Sequence, residues 1–485
     1  MQILKKVTLG LIGALGAGAA FAGPPPMSVP VSSEQGAQAS DPFAFLGNLN
    51  RSNYFLGDLF GLRPWLSRYG MSLAIQETSE LLGNASGGTR TGAAYDGLTQ
   101  TVLQLDTQRG FGHYGGLFNA SVLHLHGSNL SATQLDTLQT SSGIEADRGL
   151  RLWELWYDQR LLEEDRLDLR VGQMSVDQEF IVSSNALYFV NTMFGWPALP
   201  SYDLPGGGPA YPLSAPGFRV RYRPVNALNI LFGVYNGSPA TSNLGDPQRV
   251  DAHGIGFPVH NGALAFLEFQ YTDPSVGGLV FPGEGAPMAR TYKVGAWYDS
   301  QRFADLRRDG NGLSLADPAS SGNPARHSGN LSIYAVADQM VWRDERDPNH
   351  NLNLFVRAMG TPYQDRNLIS FSLNAGVVCH EPFRGRPDDT FGLGIGAVQV
   401  SGAAAGLDRD TASFAQAAGS AGYDPIRSSE TYLEATYQWQ VHPWWQVQPD
   451  LQYVWNPGGG IQDPNDSTRR IRNEVVLGIR TNILF

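Results

Sequence analysis

The sequence predicts an all-β protein: a transmembrane antiparallel β-barrel of about sixteen strands, with short N-terminal helices ahead of it. Three observations carry that expectation. Long segments alternate apolar and polar residues with period two, as in "LTQTVLQLDT" and "RLDLRVG". Aromatic residues gather at segment ends (Trp153 and Tyr157, Trp342, Trp439, Trp444 and Trp445, Tyr453 and Trp455), where a barrel carries its two interfacial girdles. The polar face also carries full charges. A soluble sandwich would have to bury those ions in a dry core at several kcal/mol each, and its strands usually run only ~5–6 residues. A water-filled interior accommodates the charges without pairing.

In chain order, "MQILKKVTLGLIGALGAGAAFAG" joins Lys5 and Lys6 to an apolar run and the small-residue site Ala20-Phe21-Ala22. That is the pattern of a cleavable secretory signal, with cleavage expected after Ala22; the apolar run is too short to span a membrane as a helix. The domains expected are a signal peptide over 1–22, a leader with short helices at the barrel mouth over 23–68, and the barrel over 69–485. Within the leader, Phe55, Leu59, Leu62 and Leu66 stand at helical spacing, broken by Gly57, Gly61 and Pro64.

From Met71 the period becomes two. Strands are predicted near 72–82, 98–108, 116–126, 151–160, 166–175, 217–223, 228–236, 262–272, 290–299, 331–342, 351–359, 367–379, 390–400, 430–441, 444–455 and 474–485. Most are close to the ~10 residues that cross a bilayer when tilted. "RPVNA" (223–227) and "VHPWW" (441–445) read as tight turns at one end, and 300–330 and 401–429 as long external loops. Segment 183–216 carries a single charge, Asp203, and far exceeds the usual connection of ~2–6 residues, so it is expected to fold inward as a constriction. The last strand, "NEVVLGIRTNILF", sets Val475, Leu477, Ile479 and Ile483 toward lipid and leaves Arg480 and Asn482 in water. Barrel closure would hold this terminus, since a closed sheet has no free edge.

Composition excludes other classes. One cysteine, Cys379, rules out an internal disulfide framework, and a formal charge of -11 makes nucleic acid a poor partner. His124 and His126 stand two apart on a strand without an acidic or sulfur partner nearby in sequence, and are expected on the pore wall rather than on a metal. "AGSAG" (418–422) lacks the first glycine of a nucleophile elbow, and "DGNG" (309–312) lacks the acidic twelfth ligand of a calcium loop. "GLGIG" (392–396) lacks dinucleotide-binding spacing, and its glycines are expected to leave lumen space or ease strand curvature. No catalytic residue, metal site or cofactor is expected.

The blocks "YPLSAPGFRVRYRP" (211–224), "GVYNGSP" (233–239), "YAVADQMVW" (334–342), "DRNLISFSLNAG" (365–376), "DDTFGLGIG" (388–396) and "LQYVWNPGGG" (451–460) together resemble the carbohydrate-selective porin family, the OprB type. The similarity runs from about Leu59 to Phe485. It implies a bacterial outer-membrane barrel of sixteen strands that passes glucose and related sugars by passive diffusion, as a monomer or homotrimer, with sugars and outer-membrane lipid as its partners. In such barrels a terminal phenylalanine also serves as an assembly signal.

A sugar needs charged or amide groups for its hydroxyls and an aromatic plate for its ring, held weakly enough for release. Strand faces put Glu154, Trp156, Asp158, Arg219, Arg221, Glu268, Lys293 and Trp297 inside, with Asp338, Arg357, Glu434 and Asp450 to follow. From the constriction segment, Trp196, Phe194, Tyr188 and Asn191 are the candidate sugar-facing groups. A general or anion-selective porin, an outer-membrane barrel enzyme and a secreted carbohydrate-binding β-protein remain as alternatives.

Overall fold

The computed structural model describes residues 53–242, 245–274, 288–419 and 422–485. The expected signal peptide and most of the leader lie outside the described residues. Sixteen strands close one antiparallel barrel. In chain order they are β1 (Met71–Ser86), β2 (Gly92–Asp106), β3 (Gly116–Gly127), β4 (Gly149–Leu161), β5 (Leu167–Met174), β6 (Ala215–Val225), β7 (Leu228–Asn236), β8 (Ala263–Asp273), β9 (Arg290–Asp309), β10 (Pro324–Arg343), β11 (Asn351–Gly360), β12 (Ile369–His380), β13 (Thr390–Val400), β14 (Ser429–His442), β15 (Trp445–Trp455) and β18 (Glu474–Leu484). Each pairs with its sequence neighbour, and β18 returns to β1 to close the sheet. Two short strands, β16 (Gln462–Asp463) and β17 (Asp466–Arg470), form a separate hairpin outside it.

One end of the barrel has tight links, such as 226–227 and 443–444; the other carries the long connections 128–148, 175–214, 237–262 and 401–428. Two expected external loops are partly ordered. β9 and β10 run on as a long hairpin, so only 310–323 remains a loop, and Gly402–Ala417 forms a helix, α1. Side chains alternate as the pleat requires. Leu477 and Ile479 are exposed on the outer face, while Arg480, one residue on, is buried on the inner one. No helix of the described residues is long and apolar enough to cross a membrane.

The C-terminus is fixed at the tight-turn end. Phe485 N–H donates to Ile75 O at 2.9 Å and Leu484 N–H to Trp444 O at 2.9 Å. Upstream, Phe55 N–H donates to Leu484 O at 2.7 Å, and the Phe55 ring packs edge-on against Phe485. Arg63, in the short helix Leu62–Ser67, donates to Phe485 O.

Arg480 departs from expectation. It faces inward but is not in water: it pairs with Glu80 on β1, and both side chains are almost wholly buried. The reason is that a loop fills the lumen there. Removing one partner of a buried pair leaves an uncompensated ion at a cost of about 3–5 kcal/mol. Arg480→Leu should therefore lower the thermal unfolding temperature of the detergent-solubilised barrel, followed by circular dichroism, and adding Glu80→Leu should restore most of the loss.

Candidate functional site: a lumen narrowed by two inward loops

Two connections turn into the barrel. Loop A (128–148) joins β3 to β4, and loop B (175–214) joins β5 to β6. They hold each other: Gly143 N–H donates to Val190 O at 2.9 Å, Thr192 N–H to Thr140 O at 3.1 Å, and the Tyr211 hydroxyl to Ile144 O at 3.0 Å. The sequence indicated loop B, by its length and lack of charge, but placed its start eight residues too late. Loop A was not foreseen as an inward loop.

The inner wall grips loop B by its backbone. A buried backbone group needs a partner, and here charged side chains from separate strands supply it. Glu154 on β4 accepts from Ser175 N–H at 3.0 Å, and Glu268 on β8 from Ile181 N–H at 2.8 Å. Asp338 on β10 accepts from the Ser183 hydroxyl (2.6 Å) and from the Ser184 and Asn185 N–H groups (3.2 and 3.3 Å). Glu434 on β14 accepts from Val190 N–H at 2.6 Å and Asn191 N–H at 3.0 Å. Cations take the carbonyls: Lys293 reaches Val182 O at 2.6 Å, and Arg357 donates to Phe194 O and Gly195 O at 2.9 Å each. Glu430 does the same for loop A, accepting from Leu138 and Gln139 N–H at 2.7 Å each. Charge-assisted bonds of this kind are roughly twice as strong as neutral ones.

Glycines make the room. On β13, a Cβ at Gly394 would lie 2.5 Å from Phe194 Cζ, and one at Gly392 would lie 2.9 Å from Phe189 Cζ. The space left by "GLGIG" is thus filled by the loop's stacked Phe189 and Phe194 rings, 4.2 Å apart.

Beside loop B lies an alternating ladder of charge. Arg219 on β6 is fully buried and pairs with Asp158 (3.1 Å), Glu179 (3.2 Å) and Asp168. Arg170 on β5 pairs with Asp158 (2.9 Å) and Glu179, and its guanidinium carbon sits 3.8 Å over the Trp156 ring. Arg221 pairs with Asp168, yet 44% of its side chain is exposed. Glu179 belongs to loop B; burial pushes its carboxyl up, but Arg170, Arg219 and Arg221 outweigh burial and hold it below the usual range. The ladder therefore keeps fixed charges of both signs at the narrowed lumen.

The structure puts eight of the nine expected pore-lining residues on the inner face: Glu154, Trp156, Asp158, Arg219, Arg221, Glu268, Lys293 and Trp297. Only some reach solvent. Arg221 and Lys293 do, whereas Arg219 and Glu268 are spent on buried partners. Trp196 and Trp297 are corrected as sugar plates, because both rings are sealed in the core beneath loop B. Trp196 Nε1 donates to Gly207 O at 3.0 Å, within its own loop. Arg170, Asp168 and Glu179 were missed. The alternation of "RLDLRVG" already marked Asp168 and Arg170 as inward. His124 and His126, expected on the pore wall, face outward: they continue the outer row that pairs Glu77 with Thr99 and Thr99 with His124.

Loop A carries a buried acid, Glu145, which accepts from Ser131 N–H at 3.2 Å and from the Ser131 and Ser141 hydroxyls at 3.0 and 3.1 Å. Burial, aided by Asp96, pushes its carboxyl up to about 8. A carboxyl raised above its ordinary 4.5 favours the docked loop fully below that value, and loses the contribution as pH rises through about 8. Amide hydrogen exchange at Ser131 and Ser141, corrected for intrinsic rates, should be faster at pH 9 than at pH 5, and Glu145→Gln should remove that difference.

Comparisons with known proteins agree with this architecture. The family profile described as carbohydrate-selective porin, OprB family, matches residues 90–485. The chain is 25% identical over 455 residues to Porin B of Pseudomonas aeruginosa, covering 90% of this chain and 92% of that protein. It is 22% identical over 432 residues to the putative porin QuiX of Acinetobacter baylyi, covering 85% and 90%. Among solved structures, the high-pH structure of Pseudomonas putida OprB superposes with a TM-score of 0.76 at 23% identity, covering 90% of this chain and 99% of that one.

Proposed function

Because the chain belongs to the carbohydrate-selective porin family, OprB family, and is thus an outer-membrane sugar porin, we propose that its preferred solutes are glucose-type monosaccharides. The barrel and the family mark a channel rather than an enzyme. The observation that carries the monosaccharide reading is the charge ladder beside loop B. It sets guanidinium donors and carboxylate acceptors in alternation, with Arg170, Arg221 and Glu179 on its accessible side. A small polyol meets donors and acceptors together there, while a simple ion meets opposing charges. Since the ladder's ions are already paired, they need no reorganisation when a neutral solute replaces water.

Two side chains favour a second reading. Arg221 and Lys293 present cationic groups on the accessible wall, which suits a general or anion-selective pore. Ion-current recording separates the two. On the sugar reading glucose blocks the current at roughly mM affinity. Arg221→Ala removes a donor worth about 0.5–1.5 kcal/mol, weakening the block by up to roughly tenfold while the open channel stays intact. If glucose leaves the current unchanged while small anions saturate it, the monosaccharide reading is wrong.

A further inference from the structure

Glu474 opens β18 at the long-loop end of the barrel, on the inner face. It is fully buried, yet neither of its carboxylate oxygens has a hydrogen-bond partner among the described residues. The charges that act on it are both negative, Glu430 on β14 and Asp136 of loop A. Glu430 is spent on loop A and on Gly458 N–H, whereas Asp136 is exposed and its carboxylate has no partner among the described residues. A buried carboxylate beside other anions is costly unless a counter-charge joins it.

The neighbouring acceptors lack donors as well. Asn84 on β1 lies between Gly92 of β2 and Val476 of β18, and Glu474 stands two residues from Val476 on the same face. The Asn84 amide nitrogen donates to Gly87 O and Arg90 O at 2.9 Å each, which fixes the amide's orientation; its Oδ1 is buried without a donor. Gln134 of loop A donates from Nε2 to Ala93 O at 3.3 Å, and its Oε1 is orphaned in the same way. That oxygen lies over Gly92, 3.0 Å from where a Cβ would stand. A Cβ on Gly88 would come 3.3 Å from Glu474 Oε1 and 2.7 Å from Asn84 Nδ2, so carboxylate and amide converge on one glycine.

We propose that this is a calcium site, in which the Glu474 carboxylate and the side-chain oxygens of Asn84 and Gln134 hold the ion at the seam between loop A and the wall. The donor set is all oxygen, which suits a hard cation. Calcium accepts an irregular shell of carboxylate, amide carbonyl and water oxygens, while magnesium demands a near-ideal octahedron. Asp136 adds an exposed negative charge that draws a cation toward the seam. A proton on Glu474 would quench its charge but bring a single donor to four orphaned oxygens. A cation serves all four.

The test uses the whole barrel in detergent, stripped with EDTA and titrated with calcium chloride by calorimetry, beside a thermal unfolding series. One calcium should bind per chain with an affinity of roughly 10⁻⁴–10⁻³ M, and should raise the unfolding temperature. Glu474→Gln should weaken binding at least tenfold and abolish the thermal shift. Asp136→Asn, on an exposed loop position, should weaken binding by roughly threefold and leave the fold intact, so the proposal stays testable if the Glu474 variant does not fold. Magnesium should bind at least tenfold more weakly than calcium. No saturable calcium binding overturns the proposal, and so does binding that both variants retain at parental affinity. Equal affinity for magnesium overturns the assignment to calcium.

Discussion

The structure depends on one kind of contact: a charged side chain on the barrel wall bonded to the peptide backbone of a loop inside it. A sixteen-stranded sheet left to itself encloses a wide aqueous channel. Filling part of it with irregular backbone is costly unless each buried N–H and C=O finds a partner. Glu154, Glu268, Asp338, Glu434, Lys293 and Arg357 provide those partners from six different strands. The wall's charges thereby become fasteners, and the few left accessible define what a solute meets. Asp203 shows the same economy within loop B: burial pushes its carboxyl well up, although it still accepts from Ile369 N–H.

This explains which parts of the molecule were legible in its sequence. The sixteen strands were, since alternation over ~10 residues needs no tertiary knowledge. So was the face of most wall residues, because a strand's phase fixes it; the histidines of β3 are the exception. What that face touches was not. Glu268 reads in sequence as a solvated pore charge, and only the return of Ile181 through the lumen makes it a fastener. Loop A gave no sign either. Its polar run through "SATQLDTLQTSSG" resembles an exposed loop until Glu430 and Glu145 supply its partners.

The misplaced histidines follow from the same cause. On β3, Leu123 and Leu125 point inward and His124 and His126 outward, the reverse of the usual polar-in arrangement. The inner face there is not wet. Leu123 and Leu125 pack with Leu98, Ile144, Trp153 and Tyr211 beneath the two loops. Leu82 and Val476 likewise join Leu130, Leu135 and Val190. Where a loop packs apolar side chains against the wall, as at these two clusters, the wall's polarity inverts, and a rule derived from water-filled barrels assigns the wrong face.

The measurement closest to the central claim is single-channel conductance of a barrel whose fasteners are cut. Glu268→Ala with Asp338→Ala removes the acceptors for Ile181, Ser183, Ser184 and Asn185 while leaving the ladder of Arg170, Arg219 and Arg221 in place. If wall-to-backbone contacts set the constriction, the double variant conducts more current per channel, with larger fluctuations, and binds sugar more weakly. Unchanged conductance and unchanged sugar block would contradict the account, because the loop would then hold its position without the wall.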